Sequence, residues 1–483
     1  MVSVAESLVR LQDLASSPVV ARVASAFAEA GYELALVGGP VRDAMLGRTV
    51  SDLDFTSNAS PDQILAVLKP MASAWWDVGR DFGTIGAKVT VTDDDGVEHA
   101  DTVEITTYRA DAYDGVTRKP VVAFGDTLED DLRRRDFTVN SMALRIPEIT
   151  LVDPSGGVED LVAHLLRTPS SPEVSFGDDP LRMLRAARFA SQLGFRPADD
   201  VIEAMEERRE TISIVSPERV QAELGKLLAT DHPRAGLELL VDTGIADLVL
   251  PELPALRLEP DEHHHHKDVY QHSLTVLEQA IGYEHSRHPG EAPDLVLRWA
   301  ALLHDIGKPA TKKTGPGAAV TFYHHDLVGA KLAKKRLTAL RYDGDTIKSV
   351  ARLVELHMRF FGYSEGVWAD SAVRRYVRDA GPLLERLHML VRADVTTRNR
   401  RKADRLGFAY DDLEQRIVEL QEQEELESVR PDLDGNRIQE VLGIAPGREV
   451  GEAYRWLLEL RLDEGPLGEE EATRRLLDWW SSR

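Results

Sequence analysis

Cysteine is absent from this 483-residue chain, which excludes disulfides, a thiolate nucleophile and Cys-ligated zinc together. Long apolar runs are absent as well, and none approaches the ~18 residues needed to span a bilayer. The opening residues, Met1–Leu14, lack a basic flank followed by an apolar core, so they do not read as a signal peptide. The expectation is a soluble, cytoplasmic protein with no membrane partner. Basic residues are in short supply: 58 Lys and Arg face 82 Asp and Glu, a formal net charge of −24. Taken as an average, that charge speaks against a nucleic-acid partner.

The average conceals an asymmetry. Residues 93–131 carry twelve acidic and three basic side chains, whereas residues 308–405 carry 21 basic and ten acidic ones, a local +11. A solvated helical surface and a polyanion-facing stripe both fit the second segment. Hydrophobic residues make up 43% and charged ones 29%, an ordinary globular balance. At about 100–200 residues per domain, the length implies roughly three or four domains.

The residue pattern divides the chain into a mixed α/β head and a long helical body. Residues 1–30 read as an amphipathic helix. The run Tyr32–Val37, ending at Gly38-Gly39, reads as a buried strand and a tight turn. Strands are expected at Thr84–Thr92 and Thr102–Tyr108, joined by an acidic hairpin turn. Helical periodicity takes over from about Asp160, and Pro251 and Pro254 mark a boundary near residue 250. The resulting segments are 1–30, 31–157, 158–250, 251–395 and 396–483.

Three head motifs carry chemistry. Gly38-Gly39-Pro40-Val41-Arg42-Asp43 follows the first strand and opens a helix, where close backbone N–H groups suit a phosphate; a plain turn also explains the glycines. In Ser51-Asp52-Leu53-Asp54-Phe55 the strand period places Asp52 and Asp54 on one face. Adjacent carboxylates repel unless a cation neutralises them, and hard oxygen ligands suit Mg²⁺. A solvated turn is the simpler account of these two alone. Glu104 alternates with apolar neighbours and is either a third carboxylate for that cluster or an ordinary strand-surface residue. In Arg133-Arg134-Arg135-Asp136-Phe137-Thr138-Val139-Asn140, helical spacing puts Asp136 and Asn140 on a face shared with Arg133. Arginines there can bind a triphosphate, while Asp and Asn can order a loop or a ribose hydroxyl.

These motifs are followed, in order, by Asp153–Gly157 (DPSGG), Asp178–Phe189 (DDPLRMLRAARF) and Glu218–Leu224 (ERVQAEL). The set closely resembles the class II tRNA nucleotidyltransferases, the CCA-adding enzymes, and their relatives the bacterial poly(A) polymerases. The resemblance is detailed over residues 30–240. It implies an α+β chain: a DNA-polymerase-β-like catalytic head at 31–157, a helical nucleotide-recognition and RNA-binding neck at 158–250, and an all-helical body. It further implies that Asp52 and Asp54 hold Mg²⁺, with Glu104 as a third catalytic carboxylate. Gly38, Gly39, Arg42 and Arg135 would cradle the triphosphate, with Asp136 and Asn140 ordering the nucleotide site. Asp179, Arg182, Arg185 and Arg188 fall on the family's recognition helix. An Asp that accepts from an exocyclic amine beside an Arg that donates to a ring nitrogen reads what C and A share and rejects U. Asp179 and Arg182 are the pair expected to do so.

The body carries a second constellation: His272, His304, Asp305, His325, His357 and Asp394. Any one is explained as a buried structural residue; six spread over helices point to a divalent-metal site. LRWAALLHDIGKP, with YQHSL, YHHDLVGA, VELHMRF and ADVTTRN, resembles the HD phosphohydrolase superfamily, which implies an HD domain at 251–395 binding Mg²⁺, Mn²⁺ or Ni²⁺. His325 is preferred to His324 as ligand, and His263–His266 read as a neighbouring loop. The +11 segment then offers a surface for tRNA phosphates: Lys331, Lys334, Lys335, Arg336, Arg398, Arg400, Arg401 and Lys402. The expected activity is template-independent addition of CCA to tRNA from CTP and ATP, with a possible second, phosphohydrolase activity. A poly(A) polymerase, or a protein whose main activity is HD phosphohydrolysis, are the alternatives. The helical tail 396–483 has no assigned role.

Overall fold

The computed structural model describes the chain except residues 1–3, 51, 94, 113–120, 125–126, 258–259, 262–263, 315–319, 361–362, 364–367, 397–398 and 425–429. It divides into two compact units, Met1–Ser216 with Ala235–Ile245, and Pro217–Arg234 with Ala246–Arg483.

The first unit opens with two helices, α1 (Val4–Ala15) and α2 (Pro18–Glu29), not the single helix expected to residue 30. Pro18 is the reason: it lacks an N–H and fits the first turn of a new helix rather than the interior of an old one. The sheet that follows contains β1 (Leu34–Val37), β2 (Leu53–Ser57), β3 (Ala72–Trp76), β4 (Thr84–Thr92) and β5 (Glu98–Thr107). A separate hairpin, β6 (Arg109–Ala112) with β7 (Val121–Phe124), precedes the last two sheet strands, β8 (Ala143–Ile146) and β9 (Thr150–Val152). The strand order is β3-β4-β5-β2-β1-β8-β9. Only β2 and β5 run parallel; the other pairs are antiparallel. Alternation along β2 buries Leu53 and Phe55 in the core and leaves Asp54 half-buried on the opposite face.

Helices α3 (Gly39–Leu46), α4 (Pro61–Leu68) and α5 (Leu128–Arg133) flank this sheet. The side chains of Ala35, Val37, Tyr108, Leu128, Leu132 and Ala143 form a buried cluster that seats α5. Beyond the sheet come α6 (Gly157–Ala163), α7 (Pro172–Asp178), α8 (Leu181–Leu193) and α9 (Asp199–Arg208). The apolar stripe of α8, including Leu181, Met183, Leu184, Ala187 and Phe189, is buried, and Arg182 and Arg185 lie half-buried on the remaining face while Arg188 is buried.

The second unit is helical apart from short two-stranded pairs. Its core contains α10 (Pro217–Leu228), α13 (Val269–Arg287), α14 (Leu295–Leu303), α16 (His325–Ala339), α17 (Gly344–Leu356), α18 (Asp370–Ala380) and α19 (Leu384–Ala393). Helices α12 (Ala246–Val249) and α15 (Lys308–Thr311) are the short intervening ones, whereas α11 (Arg234–Asp242) falls almost wholly in the first unit. Arg298 is fully buried in this unit. It forks onto Glu284 at 2.9 and 3.0 Å and donates to the carbonyls of Leu228 and Thr230, tying α10, α13 and α14 together. The long α20 (Arg400–Glu424) leads to α21 (Gly435–Leu442), α22 (Arg448–Glu464) and α23 (Glu469–Ser481), which share their own small core around Ile438, Leu457 and Leu476.

Candidate active site and metal centre

The parallel register of β2 and β5 sets Asp54 directly opposite Glu104. Asp52 lies just before β2, exposed, so only Asp54 of the expected pair is a strand residue. Burial is the main influence that raises the Asp54 pKa. Arg135 lowers it, while Glu104 and Asp52 raise it further. Asp54 thus lies opposite one carboxylate and within electrostatic reach of a second, and hard oxygen donors of this kind suit a divalent cation.

Gly38 has φ of +74°, a left-handed conformation that an L side chain rarely adopts, and a Cβ there would meet the Arg135 guanidinium at 3.3 Å. Glycine thus keeps the backbone of the loop open beside Arg135. Arg135 is held in turn by Asp131 at 3.1 Å. From the helix that this loop opens, Arg42 forks onto Asp43 at 2.9 and 2.8 Å and donates to Asn140 Oδ1 at 2.6 Å.

The stretch 133–140 is not the continuous helix its spacing suggested. Helix α5 ends at Arg133, and Thr138–Asn140 form a single 3₁₀ turn. Asp136 breaks the helix because its carboxylate accepts from the backbone N–H of Phe137 at 2.8 Å, competing with the helical ladder. Arg133 consequently faces solvent beside Asp130, away from Asp136. Asp136 and Asn140 still meet, with Asn140 Nδ2 donating to Asp136 Oδ1 at 3.0 Å. The other carboxylate oxygen takes Arg185 Nε at 2.7 Å. Burial would raise the Asp136 pKa, but the Arg185 charge and these hydrogen bonds outweigh it and hold it at about 2.

On α8, Arg182 donates to Ser175 Oγ at 2.8 Å and to the Arg134 carbonyl at 2.6 Å. Asp179, just ahead of the helix, accepts from the Leu181 N–H at 3.1 Å. Arg188 is buried, with its guanidinium 4.4 Å from the Phe189 ring centroid.

In the second unit, the six expected His and Asp residues converge. They form two trios, His272–His304–Asp394 and Asp305–His325–His357, each with ligand atoms within 4.8 Å of one another. Asp305 stands between them: Oδ2 is 3.2 Å from His304 Nε2 and Oδ1 is 3.3 Å from His325 Nε2. The Nδ1 atoms of His304, His325 and His357 face the carbonyls of Ala301, Phe322 and Val354 at 2.8, 2.9 and 2.6 Å. His272 Nδ1 faces Thr396 Oγ1 at 3.1 Å. A proton on each Nδ1 leaves every Nε2 lone pair directed inward, the arrangement that second-sphere carbonyls give a metal-binding imidazole. The free Nε2 atoms approach one another at 3.3 Å, His304 with His272 and His325 with His357.

The electrostatics of this centre are those of a site built for cations. Burial lowers the His304 pKa, yet Asp305 and Asp394 more than reverse this and raise it to about 10. Burial and the neighbouring His304 charge push His357 down to about 4. A divalent cation held by these imidazoles and carboxylates would take the place of such protons. The structure adds a residue that sequence reasoning passed over. Lys308, buried and three positions after Asp305, lies 2.9 Å from its Oδ2. That spacing within HDIGK was the available signal. Gly307 is equally tight: a Cβ there would sit 2.0 Å from the His325 carbonyl oxygen.

Over residues 34–167 the chain matches a family model described as the Poly A polymerase head domain. Residues 194–256 match one described as the probable RNA and SrmB-binding site of polymerase A, and residues 269–399 match the HD domain. An A-adding tRNA nucleotidyltransferase of Deinococcus radiodurans is 35% identical over 459 residues, covering 92% of this chain and 95% of that protein. The chain belongs to the tRNA nucleotidyltransferase family. A CCA-adding enzyme of Bacillus pumilus is 32% identical over 315 residues, 65% of this chain and 68% of that protein. The crystal structure of the Bacillus stearothermophilus CCA-adding enzyme in complex with CTP shares the fold, with a TM-score of 0.64 at 24% identity, covering 95% of this chain and 96% of that one.

For a tRNA nucleotidyltransferase, the basic segment is the natural place to look for an RNA-facing surface, and the structure divides the expected residues. Lys331, Lys334 and Lys335 are exposed on α16, as are Arg400, Arg401 and Lys402 at the start of α20. Arg336 does not belong with them. Its Nε donates to Glu252 at 2.8 Å, an ion pair that counting charges along the chain cannot reveal. Arg398 lies outside the described residues, as does His263. His264–His266 sit on the strand His264–Asp268. Among the described residues, no helix is long and apolar enough to cross a membrane.

Proposed function

We propose that this tRNA nucleotidyltransferase adds C, C and A to tRNA 3′ ends from CTP and ATP without a template, releasing pyrophosphate, in the cytoplasm. The observation that carries this reading is the pairing of the Asp52–Asp54–Glu104 cluster with the Arg42–Asn140–Asp136–Arg185 chain in one unit of a family member.

Asp52, Asp54 and Glu104 are the residues proposed to hold Mg²⁺. The ion would supply charge neutralisation at the α-phosphate and activation of the RNA 3′-hydroxyl. The chain's own residues do the rest. Gly38 and Gly39 let backbone N–H groups approach the triphosphate, and Arg42 and Arg135 offset its charge. Asp136 and Asn140 fix the loop that carries Arg135, and Arg185 anchors that loop to α8. Asp179 accepts from the amine of C or A while Arg182 donates to the ring nitrogen. For U both contacts invert, and the half-buried Asp179 and Arg182 go unmatched.

The two trios of this centre are proposed to hold two divalent cations, Mg²⁺, Mn²⁺ or Ni²⁺. Such a pair would activate water for phosphoester hydrolysis. The exposed lysines of α16 and the arginines at the start of α20 are proposed to meet tRNA phosphates.

A second reading, addition of the terminal A alone, is favoured by one observation: the relative similar over nearly its whole length is described as A-adding. Purified protein incubated with tRNA ending before CCA, after C and after CC, with CTP or ATP alone, separates the two. CCA addition predicts C incorporation on the first two substrates, and A-only addition predicts extension of the third alone. A long A tract on any RNA points to a poly(A) polymerase.

A further inference from the structure

The hydrogen-bonded chain Arg42–Asn140–Asp136–Arg185 has two ends, and both return to one side chain. The Arg42 guanidinium carbon lies 5.3 Å from the centroid of Phe189, and that of Arg185 lies 5.5 Å from it. Arg188 adds a third at 4.4 Å. Phe137 closes the remaining side with an edge-on contact, 5.8 Å between centroids at 85°. Phe189 is 3% exposed.

Three guanidiniums about one ring repel one another, and an aliphatic side chain of similar volume would fill this space without offsetting that repulsion. The phenyl face does offset it. It also orients the plane of a guanidinium without using any of its N–H donors. Those donors stay available: Arg42 makes its three bonds to Asp43 and Asn140, and Arg185 makes its bonds to Asp136, while both keep contact with Phe189. Arg42 comes from the helix behind the glycine loop, and Arg185 from the recognition helix. Phe189 is thus the point at which the phosphate end and the base end of the site touch a common support.

We propose that Phe189 is a positioning residue that couples Arg42 to Arg185, so that triphosphate placement and base selection occur together. The proposal rests on reading this site as a nucleotide site. A rigid array penalises a wrong base because its donors cannot rearrange to suit it. Without the ring, Arg185 pivots about its bond to Asp136, the α8 helix that presents Arg182 beside Asp179 loses its fixed placement, and a mismatched uracil is tolerated.

The test is the ratio of kcat/KM for the nucleotide that the parent incorporates to kcat/KM for UTP, measured on tRNA lacking its terminus. Phe189→Leu and Phe189→Met both remove the π face while keeping an apolar side chain. Each is expected to lower the ratio about tenfold, chiefly through the KM for nucleotide, with the KM for tRNA unchanged. Phe189→Tyr keeps the face and should hold the parental ratio. Phe137→Leu removes only the edge contact and should lower the melting temperature without moving the ratio. Folded Leu and Met variants that keep the parental ratio while melting earlier would show Phe189 to be packing only, and so would an equal drop in Phe137→Leu. A parent that incorporates no nucleotide would instead overturn the transferase reading itself.

Discussion

Asp54 stands across the β2–β5 pairing from Glu104, two carboxylates fixed in register on neighbouring parallel strands. Strand pairing sets this opposition before any ligand arrives, so the folded head carries a built-in repulsion. Burial and both acidic neighbours raise the Asp54 pKa, against the pull of Arg135.

Neutralising that cluster should separate activity from stability. Asp54→Asn is expected to reduce nucleotidyl transfer by about a thousandfold or more. It should leave the metal-free head as stable as the parent or slightly more so, because it removes a desolvated charge. Single-turnover extension of tRNA and thermal melting in EDTA check the two halves. A variant that loses activity only by unfolding would contradict the assignment.

Asp136 behaves in the opposite sense. Its folded pKa, about 2, lies below the ordinary carboxylate value of 3.8. The stabilisation is therefore complete above the ordinary carboxylate range and is lost as pH falls through about 2. A shift of this size corresponds to about 2 kcal/mol. Melting curves of the parent and Asp136→Asn from pH 5 to 2 should converge toward the acid end. A constant offset across that range would show that the Arg185 pair contributes no linked proton.

Much of this arrangement was legible in the sequence, for identifiable reasons. The strand at Thr84–Thr92 and its partner followed from alternation, and β5 merely begins earlier, at Glu98. The six His and Asp positions were legible because ligand chemistry restricts residue type. Spacing misled where side chains compete with the backbone: Asp136 turned a seemingly helical RRRDFTVN into a bend and a 3₁₀ turn. Composition misled at Arg336, whose partner Glu252 is 84 residues away. Phe189 gave no signal, since a buried Phe on an amphipathic helix looks like any other core residue until three arginines are seen around it.

The proposed metal centre should depend on a glycine as much as on its candidate ligands. Gly307→Ala places a methyl against the His325 backbone, where no flexible side chain can yield. The expected outcome is loss of cation from the Asp305–His325–His357 trio, with the other trio retained. Metal analysis of protein equilibrated with Mn²⁺ or Ni²⁺ should fall from about two ions per chain to one. Asp305→Ala should lose both, and tRNA extension should survive in each variant.

The lysines of α16 give a salt-dependent prediction. Reversing Lys331, Lys334 and Lys335 to Glu should weaken tRNA binding. The slope of log K against log salt should fall by about 2, the figure expected for three lost phosphate contacts. Arg336→Glu should instead destabilise the fold through its pair with Glu252. Unchanged binding and slope in the triple variant would move the RNA elsewhere.

The most direct test of the whole account is to size the product after parent protein meets tRNA lacking CCA, Mg²⁺, and CTP, ATP or UTP singly or CTP and ATP together. The account predicts two added residues with CTP, three with both nucleotides, none with UTP, and pyrophosphate released in equal number. No extension under any combination, or extension that Asp52→Ala and Asp54→Ala leave intact, would contradict it.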